Sequence, residues 1–133
     1  MTNSPADGDK PLVLVVDDYQ DAREMYAEYL EFSGFRVAQA TNGAEALDQA
    51  FALRPDIILM DLSLPIIDGW EATRRLKGDE RTRSIPVVML TAMALSVDRE
   101  GLQEEGFSGV LFKPVLPLNF LADVRTRIGD PQD

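Results

Sequence analysis

The chain contains no cysteine and no histidine. Without cysteine there are no disulfides, thiolate metal sites or cysteine nucleophiles. Without histidine there are no ordinary zinc sites, no imidazole base for a serine triad and no phosphohistidine donor on this chain. Basic residues are also scarce, with 13 Lys and Arg against 23 Asp and Glu and a formal net charge of -10 at pH 7. Such a field repels nucleic-acid backbones and anionic membranes at long range, so neither is expected as a direct partner. The apolar run from Leu12 to Val16 is far too short for a membrane span or a signal-peptide core, and acidic residues precede it where a signal peptide needs basic ones. The chain reads as cytoplasmic. It carries no GxxxxGK[ST] phosphate loop, no GxGxxG after the first apolar run, no EF-hand loop and no GxSxG elbow, which leaves an NTPase or dehydrogenase unsupported.

What the chain does have is a globular profile, 133 residues with 45% apolar and 27% charged, enough for one domain. Residues 1–11 are rich in Pro, Gly, Asp and Asn and read as a loose arm, residues 12–128 as the domain, and residues 129–133 as a tail. Short apolar runs at Leu12 to Val16, Arg36 to Ala40, Asp56 to Met60, Ile85 to Leu90 and Gly109 to Phe112 predict strands. LVLVV, IILM and VVML are continuous, as in parallel strands buried on both faces.

Helical stretches separate the runs. Asp21 to Glu31 places Ala22, Met25, Tyr26, Tyr29 and Phe32 at three- and four-residue steps, and Gly34 stops it. Asn42 and Glu45 have capping-box spacing ahead of Ala44, Leu47, Ala50 and Phe51, and Arg54 and Pro55 end that helix. Trp70 to Lys77 and Val97 to Glu105 predict two more, with Ser96 as a cap for the second. A last one begins near Pro117, its apolar face formed by Leu118, Leu121, Val124 and Ile128. Strands alternating with helices define an α/β fold, a doubly wound five-stranded parallel sheet with helices on both faces.

Ligands of such sheets collect at the carboxyl ends of the strands. Those ends hold Asp17 and Asp18, then Asp61, Thr91 and Lys113. Carboxylates at adjacent strand ends repel one another unless a cation lies between them, and a hard divalent ion with oxygen ligands, Mg²⁺, answers that need. With Lys113 as second cation and Thr91 as hydroxyl donor, the set suits phosphoryl transfer by positioning and electrostatics. Asp61 is the expected nucleophile, since it ends the central run and precedes the Pro- and Gly-containing loop LSLPIIDGW; Asp17 and Asp18 are the expected metal holders. Each residue alone has an ordinary explanation, an Asp as helix cap or turn, a Thr or Lys as a solvated side chain. Asp68 before Gly69 reads as such a turn and cap. The functional reading rests on the set.

VLVVDDYQDAR, DIILMDLSLPIIDGW, VVMLTA and LFKP, in this order and spacing over roughly residues 12–128, resemble the receiver domain (CheY-like) of response regulators in two-component and phosphorelay signalling. The resemblance implies a flavodoxin-like strand order 2-1-3-4-5. It implies that Asp61 accepts a phosphoryl group from a histidine kinase or histidine phosphotransfer protein, with Mg²⁺ as cofactor. Asp18 would bind the ion directly, Asp17 through water or by orientation, and Ser63 through its backbone carbonyl. Thr91 would be the switch hydroxyl, Lys113 would pair with the phosphoryl group, the Lys113-Pro114 bond would be cis, and Pro65 and Gly69 would shape the loop after the acceptor. Output would run through the 97–128 face to a downstream protein target or a second copy. The protein would not be an enzyme beyond its own phosphorylation and dephosphorylation. Two positions depart from the pattern. Val110 stands three residues before the lysine, where relatives often have Tyr or Phe, while Phe112 lies next to the lysine on the opposite strand face. Met93 stands two residues after Thr91, where many relatives carry small or polar residues. A phosphorylation-independent interaction module with the same fold is the alternative reading, and a small Mg²⁺-dependent phosphohydrolase a weaker one, for want of an extra acid-base residue and a cap over the substrate. Both a stand-alone receiver and a piece of a larger protein fit the sequence.

Overall fold

Side-chain alternation along three buried strands sorts the core into two halves. In the computed structural model, which describes residues 10–92, 99–129 and 131, the strands are β1 (Leu12–Val16), β2 (Arg36–Ala40), β3 (Ile57–Asp61), β4 (Val87–Thr91) and β5 (Gly109–Phe112). They form one parallel sheet in the order β2-β1-β3-β4-β5. The helices are α1 (Gln20–Phe32), α2 (Gly43–Leu53), α3 (Gly69–Lys77), α4 (Arg99–Glu104) and α5 (Pro117–Ile128). Leu14, Val16, Ile58, Met60, Val87 and Met89 face one half-core with Ala46, Leu47, Ala50, Ala72, Leu76 and Leu102 from α2, α3 and α4. Val13, Val15, Ile57, Leu59, Val88 and Leu90 face the other, with Tyr26 and Leu30 of α1 and Phe120, Leu121 and Val124 of α5. The continuous apolar runs are thus what a sheet covered on both faces requires. No described helix is long and apolar enough to cross a membrane.

Local chemistry sets the boundaries. Asn42 caps α2 by accepting from the Glu45 N–H at 2.8 Å. The Glu45 carboxylate reaches back to the N–H and hydroxyl of Thr41, one residue earlier than a capping box would have it. Asp68 caps α3 by accepting from the Glu71 N–H at 2.9 Å, the role its sequence context suggests. After α1, Gly34 takes a φ of 99° while the N–H groups of Gly34 and Phe35 return to the carbonyls of Glu31 and Leu30, which is the Schellman closure.

Several expectations shift. β3 starts at Ile57 because the Asp56 carboxylate turns back to accept from the Leu12 N–H at 2.7 Å, and the strand runs on through Asp61. β4 starts at Val87, since Ile85 belongs to the turn that its N–H closes on the Thr82 carbonyl and Pro86 has no N–H to give. On α1 the buried stripe is Tyr26, Ala27 and Leu30, whereas Met25, Tyr29 and Phe32 are exposed, Phe32 by 90%. On α5 the anchor is Phe120, which meets the rings of Tyr26 and Tyr29 edge-on at 5.3 and 6.2 Å, and Leu118 is 79% exposed. Ser96, Val97 and Met93 lie outside the described residues.

The two α5 positions separate in a denaturation experiment. Phe120→Ala is expected to lower stability by about 3 to 5 kcal/mol, the usual loss for a fully buried ring. Leu118→Ala should stay within roughly 0.5 kcal/mol, as exposed positions do. Urea midpoints at constant m-value are the measurement.

Candidate functional site

The register of the sheet decides which side chains meet at its carboxyl edge. Val16 pairs with Met60, so Asp17 and Asp61 emerge side by side from β1 and β3. Asp61 pairs with Leu90 and Thr91 with Phe112, which sets Thr91 and then Lys113 on the next two strand ends. The Lys113 N–H closes the edge by donating to the Thr91 carbonyl at 2.8 Å. One carboxylate oxygen from each of Asp17, Asp18 and Asp61 lies within 4.8 Å of the others. The structure therefore brings together Asp17, Asp18, Asp61 and Lys113, with Thr91 at the neighbouring strand end, joined to Lys113 through its backbone carbonyl.

The acids differ in environment. Asp17 is fully buried; its Oδ1 accepts from the Tyr19 N–H at 2.9 Å and its Oδ2 from the Lys113 ammonium at 3.0 Å. The same ammonium donates to Asp61 Oδ2 at 3.0 Å, while the Ser63 N–H reaches Asp61 Oδ1 at 3.3 Å. Asp18 is exposed. Burial raises the Asp61 carboxyl above the ordinary carboxylate value, an effect that Lys113 opposes and Asp17 reinforces. Burial by itself would lower Lys113, but the hydrogen bonds to Asp17 and Asp61 hold it above the ordinary lysine value. One ammonium thus pairs with two of three clustered carboxylates, and an all-oxygen donor set of this kind fits a hard divalent cation.

The backbone below the acids is tightly specified. A Cβ on Gly69 would lie 2.2 Å from the Asp61 carbonyl oxygen, so the first residue of α3 has to be glycine for the helix to seat beneath the strand end. The Gly69 N–H donates to the Leu62 carbonyl, and the Pro65 carbonyl accepts from the Ile67 N–H, which folds the loop back on itself. Ile66 within it has a φ of 69°. The Lys113-Pro114 peptide is cis. Thr91 is buried and continues the alternation of Val87 and Met89, toward the α2, α3 and α4 side, whereas Asp17, Asp61 and Lys113 follow the alternation of the α1 and α5 side. Val110 packs with the Thr91 side, and Phe112, half exposed, follows it by alternation.

Two neighbours escaped the reading of the sequence. Tyr26, placed only as an apolar-face residue, has its hydroxyl within electrostatic range of Lys113, Asp17 and Asp61, and burial pushes it above the usual phenol value. Arg23, the last residue of the stretch VLVVDDYQDAR, donates from Nη1 to the Asp17 carbonyl at 3.0 Å. Tyr26 carries no sequence signal beyond its helical position, and Arg23 none beyond its place in that stretch.

Comparison with known proteins identifies the family. Residues 13–125 match the family model of the response regulator receiver domain. The polar-differentiation response regulator DivK of Brucella anthropi is 36% identical over 118 residues, covering 89% of this chain and 96% of its own. Among solved structures, the receiver domain of the sensor histidine kinase PA1611 from Pseudomonas aeruginosa superposes with a TM-score of 0.82 at 33% identity, over 90% of this chain and 98% of that one. That structure holds a magnesium ion in its active-site cleft. The chemotaxis response regulator CheY4 of Vibrio cholerae superposes with a TM-score of 0.82 at 29% identity, over 88% of this chain and 98% of that one. The chain belongs to the response regulator receiver domains, the CheY-like phosphoaccepting switches of two-component signalling.

The raised Asp61 value gives a signed pH effect. A group whose folded value exceeds its unfolded one contributes stability below the unfolded value, 3.8 here, and loses it as pH rises through the folded value. Ionised Asp61 therefore burdens the neutral-pH fold, and Asp61→Asn should melt above the wild type in EDTA at pH 7. The gap should close as pH falls through the raised value. Thermal melts of both proteins from pH 7.5 to 3.5 check this; a wild type melting above the variant at pH 7 contradicts it.

Proposed function

We propose that Asp61 is the phosphoacceptor and that its donor is a phosphohistidine on a histidine kinase or histidine phosphotransfer protein. The observation that carries the assignment is the position of the Asp61 carboxylate, at a central strand end with one oxygen held by Lys113 and the other by the Ser63 N–H. The 133 residues contain no histidine, so the donor imidazole lies outside them. In the reaction an Asp61 oxygen forms the new O–P bond as the donor's P–N bond breaks, and the imidazole nitrogen keeps the electron pair and takes a proton from water. Lys113 neutralises charge gathering on the phosphoryl oxygens. Thr91, one residue beyond the Leu90 that pairs with Asp61, donates its hydroxyl to the phosphoryl group once it is in place.

The donor set fits Mg²⁺, with Asp18 and Asp61 as direct ligands, the Ser63 carbonyl as a third and Asp17 acting through water or by orientation. When bound, the ion supplies positive charge that offsets the negative charge of acceptor and phosphoryl group. Pro65 and Gly69 shape the loop after the acceptor, Pro65 by accepting from the Ile67 N–H and Gly69 by its close approach to the Asp61 carbonyl. The chemistry is confined to the protein's own carboxylate, with no separate substrate turned over, so we do not class the protein as an enzyme. The readout is protein contact through the 97–128 face, toward a downstream target or a second copy. We place the protein in the cytoplasm, without direct contact to nucleic acid or membrane, in keeping with its net charge of -10.

Incubation with Mg²⁺ and a small phosphodonor, followed by intact mass and peptide mapping, should give one acyl phosphate on Asp61. Asp61→Asn should remove it, and equal incorporation into that variant would overturn the assignment. Asp18→Ala should weaken Mg²⁺ binding by about tenfold or more, since few protein ligands serve this ion. Lys113→Ala should fold yet lose most of the amide chemical-shift response to phosphorylation that the wild type shows in residues 99–112.

A further inference from the structure

We propose that Arg23 is a positioning residue for the metal site, holding the peptide that aims the Asp18 carboxylate. The inference rests on the Mg²⁺ reading given above and assigns a role to a residue on α1 outside the ligand set.

The chain must pass from β1 into α1 through Asp17, Asp18 and Tyr19 alone. Asp17 is fixed at every polar atom but one. Its N–H donates to the Ala40 carbonyl at 3.2 Å, and its two carboxylate oxygens are held by the Tyr19 N–H and by Lys113. The remaining group is its carbonyl, and that accepts from Arg23 Nη1 at 3.0 Å. The carbonyl lies in the same rigid plane as the Asp18 N–H, so fixing one fixes the direction from which Asp18 leaves the backbone. Asp18 needs this support, because among the described residues its carboxylate has no hydrogen-bond or ion-pair partner. Backbone direction is then the main constraint on where it points.

Arg23 is itself braced. Its Nε donates to Gln39 Oε1 at 3.1 Å, from the β2 residue that pairs with Val15. Its own N–H returns to the Tyr19 carbonyl at 3.0 Å. The guanidinium therefore ties the β1–α1 turn to the neighbouring strand with two separate N–H groups, a geometry that a lysine ammonium on a flexible stem cannot reproduce.

Charge and positioning predict opposite signs here. Arg23 is a cation beside an acidic site, so if its charge were all that mattered, removing it would tighten Mg²⁺ binding. If it positions Asp18, removing it weakens binding. The experiment titrates Mg²⁺ alone into wild type, Arg23→Ala, Arg23→Lys and Gln39→Ala, following Trp70 fluorescence and amide shifts, with urea midpoints measured in parallel. Arg23→Ala is expected to lose affinity by about tenfold, in the range that ligand-supporting partners commonly show. Arg23→Lys should also lose affinity although its charge is kept, and Gln39→Ala should lose less, in the same direction. Unchanged or tighter binding in Arg23→Ala overturns the proposal, as does wild-type affinity in Arg23→Lys. Should Arg23→Ala fail to fold, the Lys and Gln39 variants decide. If the wild type shows no saturable Mg²⁺ response, or Asp18→Ala binds as the wild type does, the underlying metal reading fails instead, and the two failures are told apart.

Discussion

A single ammonium shared between two buried carboxylates is the constraint around which the carboxyl edge is organised. Two acids on neighbouring strands of a parallel sheet would not remain both ionised and buried without it. Lys113 can serve only from the end of β5, at the far edge of the sheet from β2, so its Nζ contacts draw the strand ends of β1, β3 and β5 to one point. The N–H of the same residue is tied to the Thr91 carbonyl, which brings β4 into the arrangement. The offset is incomplete, since Asp61 remains harder to ionise than an ordinary carboxylate. Burial is the larger cause, and a positive charge added beside Asp61 would relieve it.

Fold and site were legible in the sequence to different depths. The strands could be read because burial on both faces leaves continuous apolar runs with no polar alternation to confuse them, and LVLVV, IILM and VVML all lie in the sheet centre. Once the sheet is parallel, the residues following its strands share one edge, so the neighbourhood of Asp17, Asp61 and Thr91, and of Lys113 after GVLF, followed without knowledge of any contact. The helix faces were less legible. On α1 both Met25-Tyr29-Phe32 and Tyr26-Leu30 have helical spacing, and the choice between them is made by packing with strand and α5 residues distant in sequence, with Tyr26 and Leu30 in one cluster with Val13, Leu59 and Val124. On α5 Phe120 is buried and Leu118 exposed, the reverse of the expected face at these two positions.

Within the site, the sequence supplied residue types but not pairings. Nothing in the order of residues says that Lys113 bonds to Asp17 rather than Asp18, or that Asp17 is enclosed while its neighbour is exposed. Those facts come from the turn between β1 and α1, where Asp17 spends one carboxylate oxygen on the Tyr19 N–H and is drawn inward. Gly69 could be read as a turn residue, but its reason is different and three-dimensional, the carbonyl of Asp61 lying where its side chain would be.

The partition of the interior by the sheet has a further consequence for how such a protein changes over time. Tyr26, Leu30, Phe120 and Val124 on one side never touch Ala46, Leu76 and Leu102 on the other, because the strands stand between them. Substitutions in separate half-cores with no shared partners combine additively. A lineage can therefore remodel the α1 and α5 exterior, interior packing included, without compensating changes beneath α2, α3 and α4. Only the strand residues and the row of side chains at their carboxyl ends answer to both sides.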